Sequence, residues 1–337
     1  MAKTGGSRGH EHQHMEDHAR PFDTVTVFGG ATLDRVARSS APPVMGASNP
    51  GTVRHLPGGV GFNVATVLAR LGFPTRMATV VGSDAAGEAI VNAAKVAGID
   101  TAGMTALKGA TTAGYHATFD DTGNLIIGIA DMKICEQITP AIIVEAVAKS
   151  GPRDFWVIDA NLPAETLEFL ASEATHARRP IAALTVSPAK AVRLVPILDD
   201  LTYVFTNRKE AATLLGRDPD DVALSPMAMA TELAGHRSAS IIVTNGTEPL
   251  AVASGGEVRS FMPLRAAARG VNGAGDSLAA GTILGLAEGH TLYDAVRFGL
   301  AAAALAVEAG SIIAAPFSAD ALAERLAGPA SRERIAS

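Results

Sequence analysis

The amino-acid sequence predicts an α/β protein: a mostly parallel central sheet covered by helices on both faces, in three α/β/α layers. Three observations carry this. Strand and helix signals alternate through the second half of the chain, as βα units do. The polar candidates Asp34, Asn161, Asn207 and Thr244 all fall just after a predicted strand, where such sheets hold their ligands. A length of 337 residues suits one large α/β core, or two ordinary domains.

In chain order, Val25-Thr26-Val27-Phe28 reads as a first strand, β-branched and apolar, ended by Gly29-Gly30. From Arg35 to Leu56 the pattern is irregular, with Ala41-Pro42-Pro43 and Asn49-Pro50-Gly51 as breakers. A helical pattern through Val67, Leu68 and Leu71 follows, then a buried strand over Met77–Gly82 and a helix from Asp84 to Ala97, capped by Ser83 or Asp84 and ended by Gly98. Alternation at Tyr115, Ala117 and Phe119, and again at Leu125, Ile127 and Ile129, predicts a hairpin turning at Asp120–Asn124. Strands at 155–159, 180–186, 203–205 and 240–244 then alternate with helices at 164–174, 190–198, 209–215 and 227–234. Gly255-Gly256 turns a second hairpin, and the alanine- and leucine-rich stretch 298–307 predicts a helix that packs closely on a neighbour.

Composition excludes several classes of function. Acidic residues outnumber basic ones by 34 to 28, so no electrostatic footprint for nucleic acid is present. The single cysteine, Cys135, excludes an intramolecular disulfide framework and reads as a small buried apolar residue. No apolar run reaches the roughly 18 residues of a membrane span. Residues 1–21 form a polar tail that lacks the apolar centre of a signal peptide, and a cytoplasmic protein is expected. Within that tail His10, His12, His14 and His18 offer a metal imidazoles, but a disordered polar segment is the plainer reading.

The stretch with the most chemistry is Gly270-Val271-Asn272-Gly273-Ala274-Gly275-Asp276-Ser277, followed by an apolar helical pattern. A Gly-Ala-Gly turn opening a helix leaves backbone N–H groups without intrahelical partners, at the positive end of the helix dipole. That is an anion site suited to phosphate, and Asp276 in the first turn is placed to accept a proton from an attacking alcohol. Taken alone, the motif has a plainer alternative, in which the glycines turn a loop and Asp276 caps the helix. Far upstream lies Pro57-Gly58-Gly59-Val60-Gly61-Phe62-Asn63, also leading into a helical pattern. Asn207 and Glu210, three apart at a helix start, form either a capping box or part of a metal site.

A Gly-Gly followed by asparagine early in the chain, with Gly-Ala-Gly-Asp late, resembles the ribokinase-like (PfkB) family of sugar and nucleoside kinases. The likeness runs from about Val25 to Ala327, giving a kinase domain over residues 22–330. Within the family, Ser48-Asn49-Pro50-Gly51, Asp131-Met132 and Asp159-Ala160-Asn161 resemble the pseudouridine kinases.

The resemblance implies that segments of about 33–56 and 112–132 form a small β-sheet lid, which would keep water from competing with the sugar hydroxyl. It also implies a homodimer through that lid. It implies Asp276 as catalytic base, with the N–H groups of Gly273, Ala274 and Gly275 holding the transferring phosphoryl. Asp34, Gly58, Gly59 and Asn63 would hold the ribose; for Asp34 a turn or helix cap is the alternative. Asn49, Asp131, Met132 and Asn161 would shape the base side. Asn207, Glu210, Thr244 and Gly246 would face ATP, with Glu210 holding Mg²⁺ through water.

Three positions depart from the family pattern. Pro249 stands where a glycine is usual after Thr244-Asn245-Gly246, removing a backbone donor. Gly270, Val271 and Asn272 replace the usual Asp-Thr or Asn-Val-Thr, and the missing side-chain oxygen at 270 weakens the argument for a monovalent cation such as K⁺. Leu184 and Thr185 stand where pseudouridine kinases tend to have an aspartate. The expected activity is ATP-dependent phosphorylation of the 5′-hydroxyl of a ribosyl substrate, pseudouridine first. Ribose or another sugar or N-nucleoside is the alternative, and a non-catalytic nucleoside-binding regulator the more distant one.

Overall fold

A computed structural model describes residues 20–220, 223–235, 237–270, 272–328 and 333–335. The histidine-bearing tail up to residue 19 and Val271 lie outside the described residues.

The chain opens with β1 (Thr24–Phe28), β2 (Thr32–Ser39), β3 (Gly51–Gly58), α1 (Val60–Arg70), β4 (Thr75–Gly82), α2 (Ala85–Val96) and β5 (Asp100–Leu107). A hairpin of β6 (Gly114–Phe119) and β7 (Leu125–Asp131) leads into α3 (Pro140–Ala148), β8 (Asp154–Asp159), α4 (Ala164–His176), β9 (Ile181–Leu184) and α5 (Pro188–Ala191). Then come β10 (Tyr203–Asn207), α6 (Arg208–Leu214), α7 (Pro226–Ala234), β11 (Ser240–Asn245), β12 (Glu248–Ser254) and β13 (Glu257–Phe261). The end of the chain is α8 (Ala274–Ala287), α9 (Leu292–Ala309), α10 (Ala319–Ala327) and β14 (Glu333–Ile335).

The main sheet has ten strands in the order β14-β13-β12-β11-β10-β9-β8-β1-β4-β5. Pairing is parallel from β5 across to β11 and antiparallel from β11 to β14. Successive side chains of a strand point to opposite faces, and here both faces are covered. Phe155 and Val157 enter one core with α1, α8 and α9, whereas Trp156 and Ile158 enter the other with α4, α6 and α7. This is the expected three-layer α/β/α arrangement.

Helices α8 and α9 show what the small residues are for. Every residue of α8 from Ser277 to Ala287 is buried, the mark of a helix enclosed on all sides. A Cβ on Gly281 would stand 2.6 Å from the Phe298 carbonyl, and one on Gly299 would stand 2.4 Å from that of Leu278. The two helices therefore meet backbone to backbone.

A second sheet of four strands, in the order β3-β2-β6-β7, stands apart from the first. Its hairpin turns where Asp120 Oδ1 accepts the N–H groups of Thr122 and Asn124 at 2.9 and 2.8 Å, an Asx turn. The irregular reading of residues 35–56 is corrected: β2 and β3 pair over eight residues, from Thr32↔Gly58 to Ser39↔Gly51. Arg35, Arg38 and Arg54 hid the alternation, because much of this sheet faces solvent. Asp34 lies inside β2 rather than in a loop after β1. The predicted helix at 190–198 is also corrected: α5 ends at Ala191 and a 3₁₀ segment, Val192–Asp200, continues with Pro196 inside it. Proline denies that turn its backbone donor.

Candidate functional site

The carboxyl ends of the parallel strands surround a cavity of about 170 Å³, lined among others by Thr185, Asn207, Glu210, Thr244, Gly275 and Asp276. They come from four pieces of chain, brought together by the parallel order of β9, β10 and β11 and by the start of α8.

The α8 end is shaped by two glycines with different duties. Gly273, the N-cap, adopts φ 78°, where any Cβ is strained, and a Cβ there would lie 2.5 Å from Ile312 Cδ1. A Cβ on Gly275, by contrast, would meet nothing within 4 Å. The first N–H groups of the helix, which have no intrahelical acceptor, therefore open onto free space.

Asp276 accepts a hydrogen bond from Asn63 Nδ2 at 2.7 Å. Its carboxyl is pushed up to about 6, first by burial; the Asn63 bond opposes this, and the charges of Asp159 and Glu210 reinforce it. A group poised there ionises at neutral pH yet retains proton affinity.

Asn63 reaches Asp276 because of the glycines before it. Gly59 caps α1 at φ 96°, and a Cβ on it would lie 2.7 Å from the Gly30 carbonyl. On the preceding strand pair, a Cβ on Gly58 would stand 3.0 Å from Asp34 Oδ2. Asp34 Oδ1 accepts the Tyr115 N–H at 3.1 Å, so it joins β2 to β6. Burial raises its pKa, against the Thr32 hydroxyl, the Tyr115 N–H and the His116 charge. Asn161 is buried beside Gly30, with its Oδ1 taking the Lys190 ammonium at 2.7 Å.

Asn207 and Glu210 form a complete capping box on α6: Asn207 Oδ1 accepts from the Glu210 N–H at 3.0 Å and Glu210 Oε2 from the Asn207 N–H at 3.2 Å. The same Oε2 accepts the Thr185 hydroxyl. Thr244 Oγ1 donates to the Thr206 carbonyl at 3.3 Å, and Gly246 turns the chain at φ 63° between β11 and β12.

Of the predicted site residues, Asn207, Glu210, Thr244, Gly275 and Asp276 line this cavity and Asn63 is bonded to it through Asp276. Asp34, Gly58, Gly59, Asn161, Gly246, Gly273 and Ala274 are outside its lining, and so are three more with settings of their own. Asn49 spends its side chain on its own loop, accepting from Val44 N at 2.8 Å and donating to the carbonyls of Val44 and Ala47 at 3.0 Å. Asp131 is exposed at the end of β7. Met132 is partly buried against the second core.

Two lining residues carried no sequence signal as site residues. Thr185 had been visible only as a departure from the family pattern. Val186 sits at φ 67° with Ser187 N bonded to the Thr185 carbonyl at 2.7 Å, a γ-turn about a β-branched residue. Such backbone costs about 1–3 kcal/mol and has no signature in the residue types. The departure at 270 has a packing cause: a Cβ there would stand 2.7 Å from the Gly310 carbonyl. Pro249 lies in β12, between the pairs Asn245↔Glu248 and Val243↔Ala251, where the register of β11 shifts between Val243 and Asn245. Cys135 is buried, its thiol pushed up to about 12 chiefly by burial, and it is inert.

The sequence profile of the pfkB family carbohydrate kinases matches residues 23–318. The pseudouridine kinase of Escherichia coli (strain K12) is 27% identical over 296 residues, covering 86% of this chain and 91% of the relative. The ribokinase of Bacillus subtilis (strain 168) is 28% identical over 284 residues, covering 84% and 92%. Among solved structures, a carbohydrate kinase from Agrobacterium tumefaciens superposes with a TM-score of 0.80 at 34% identity, over 93% of this chain and 100% of the other. Arabidopsis thaliana ribokinase complexed with ribose and ATP superposes with a TM-score of 0.78 at 20% identity, over 91% and 100%, a likeness of fold.

Proposed function

Since the chain belongs to the pfkB family of carbohydrate kinases, phosphotransferases with an alcohol as acceptor, we propose that it phosphorylates the 5′-hydroxyl of pseudouridine with ATP. The observation that carries the site assignment is the Asn63–Asp276 hydrogen bond of 2.7 Å at the open N-terminus of α8.

Asp276 takes the proton of the ribosyl 5′-hydroxyl as that oxygen attacks the γ-phosphorus, whose bond to the β–γ bridging oxygen breaks and releases ADP. The N–H groups of Gly273, Ala274 and Gly275 receive the charge that gathers on the transferring phosphoryl. Asp34, Gly58, Gly59 and Asn63 hold the ribose, with Asp34 accepting from its hydroxyls. Asn161 lies on the base side; Asn49, Asp131 and Met132 join it there once the small sheet closes as a lid. Asn207, Glu210, Thr244 and Gly246 face the nucleotide.

The residues present suit Mg²⁺. Glu210 lines the cavity with a carboxylate whose hydrogen-bond partners, Thr185 and the Asn207 N–H, are uncharged. Among the described residues no group of three or more His, Cys, Asp or Glu could hold a metal, so Glu210 would hold it through water, as Mg²⁺ with bound phosphates allows. When bound, the ion offsets charge on the β- and γ-phosphates. Gly270 offers no side-chain oxygen, and a monovalent cation is not part of the proposal.

Pseudouridine is preferred on Asp159-Ala160-Asn161 and on the E. coli relative; ribose is the second reading, on the equally similar B. subtilis ribokinase. ADP release measured with pseudouridine, ribose, uridine and adenosine at equal concentration separates them. The highest kcat/KM with pseudouridine supports the first reading, and the highest with ribose replaces it. No turnover of any acceptor, with nucleoside binding retained, would point instead to a regulator.

The same reading includes a dimer. Strand β7 is an edge strand carrying Leu125, Ile127 and Ile129 on one face, each more than half exposed at 52%, 54% and 58%. A second copy of this sheet is the partner such an edge suits. Among the described residues no helix is long and apolar enough to cross a membrane; a cytoplasmic location remains part of the proposal.

A further inference from the structure

Asp159 takes no part in the chemistry above, yet three segments of the site close on it. It is the last residue of β8 and fully buried. Its Oδ2 accepts the N–H of Gly30 at 2.9 Å and of Gly61 at 2.8 Å, and its Oδ1 accepts that of Asn161 at 2.9 Å. The fit is tight: a Cβ on Gly29 would stand 2.5 Å from Oδ2, and one on Gly61 3.0 Å. The carboxylate thus ties the end of β1 and the first turn of α1 to its own turn.

We propose that Asp159 is the positioning residue of the site: through the Gly61 N–H it fixes the first turn of α1, and so holds Asn63 against Asp276. The proposal rests on reading Asp276 as the base. The geometry follows from sequence distance, because Gly61 and Asn63 share one helical turn, and Asp159 ties that turn to β8 through the Gly61 N–H at 2.8 Å. A charge effect supports it: burial raises the Asp159 carboxyl, while the N–H groups of Gly30, Asn161 and Gly61 donate to it and favour the carboxylate, and a carboxylate there repels the anionic form of Asp276. The charges acting on Asp276 are those of Asp159, from β8, and Glu210, from α6. Against α8, α1 presents the neutral Asn63, and α9 presents Phe298, Gly299 and Ala302.

The experiment is a ¹³C NMR titration of the assigned carboxyl of Asp276, which needs no substrate and therefore stands apart from the choice of acceptor. In Asp159→Asn, whose amide oxygen can still accept the Gly30 and Gly61 N–H groups while the charge and the acceptor of the Asn161 N–H are lost, the Asp276 midpoint should fall by about half a unit to one unit. The acid limb of kcat should follow it. A residue that merely supports the fold would alter stability and KM but leave the midpoint in place. Gly61→Ala keeps the charge and pushes a methyl group onto Oδ2; it should raise the KM of the acceptor about tenfold and leave that of MgATP unchanged. Should Asp159→Asn not fold, the coupling is read in reverse: Asp276→Asn should lower the midpoint of Asp159. An unmoved midpoint in the charge test, or an unmoved acceptor KM in Gly61→Ala, overturns the proposal.

Discussion

The side-chain amide of Asn63 donates to Asp276 Oδ2 at 2.7 Å, joining the first turns of α1 and α8 across 213 residues of chain. Both helices begin at a glycine with positive φ, Gly59 at 96° and Gly273 at 78°, so two helix N-termini converge on one carboxylate. Converging dipoles favour its anionic form. Burial and the charges of Asp159 and Glu210 outweigh them, since the carboxyl titrates at about 6 rather than in the ordinary range near 3.8.

Asp276→Asn keeps the shape and removes the proton acceptor. It is expected to lower kcat by about 10²–10⁴ while leaving nucleotide and acceptor affinity within a few-fold. Calorimetric titration beside a coupled ADP assay checks both. Near-normal kcat would sink the assignment of Asp276 as base.

The pH profile tests the same group differently. Below about 6 the Asp276 carboxyl is protonated and cannot accept the alcohol's proton, so kcat should fall tenfold per unit below that point. Asn63 donates to the ionised form and holds the value down; Asn63→Ala is therefore expected to move the acid limb to higher pH. A limb that stays in place, or moves lower, contradicts the reading of the hydrogen bond.

Stability should run against activity. Folding raises the Asp276 carboxyl from 3.8 to about 6, so the folded state favours the protonated form. The associated stability is present below 3.8 and is lost as pH rises through 6. Asp276→Asn, uncharged throughout, is expected to gain on the wild type by about 2 kcal/mol between pH 4 and pH 7. Thermal melts of both proteins across that window read the difference directly.

How much of this was legible in the sequence depends on the kind of signal each residue carries. Gly273, Asp276, Gly59 and Asn63 announced themselves through residue types that a helix-end anion site demands. The parallel sheet was legible from β1, β8, β10 and β11 because both faces of these strands are apolar. Strands β2 and β3 were not, since a sheet half exposed to solvent admits arginines that erase the alternation. Strand β5 gives little signal because Thr101, Ala102, Gly103 and Thr105 interrupt any apolar alternation, and helices α3 and α10 are short, at nine residues each. Val186 was illegible for a different reason: its φ of 67° comes from how β9 meets the following turn, and valine gives no hint of it. Asp159 was visible as a motif residue, but its three N–H partners are backbone groups from distant segments, which no spacing rule shows.

The two glycines of α8 predict contrasting variants. Gly273→Ala forces a strained φ and a collision with Ile312, so stability and activity should both drop. Gly275→Ala meets nothing within 4 Å in the free protein and should melt close to the wild type. Its methyl would occupy the space where the phosphoryl must approach, so kcat/KM should fall by about 10² or more. Full activity in Gly275→Ala would show that the phosphoryl does not lie over this helix end.

The last prediction concerns the exposed edge of the small sheet. Leu125, Ile127 and Ile129 alternate along β7 with 52%, 54% and 58% exposure, which in a monomer leaves an apolar strip beside unpaired backbone groups. Burying such a strip between two copies removes it from water at about 25 cal/mol per Å². The wild type is therefore expected to elute as a dimer in size exclusion with light scattering, and Ile127→Lys as a monomer, because a lysine pair facing across the seam would lose its hydration. The sheet also carries Asp34 in β2, so the monomeric variant should show a raised KM for the acceptor with that for MgATP unaltered. A wild-type chain that is monomeric at micromolar concentration would remove the dimer and leave the strip to another partner.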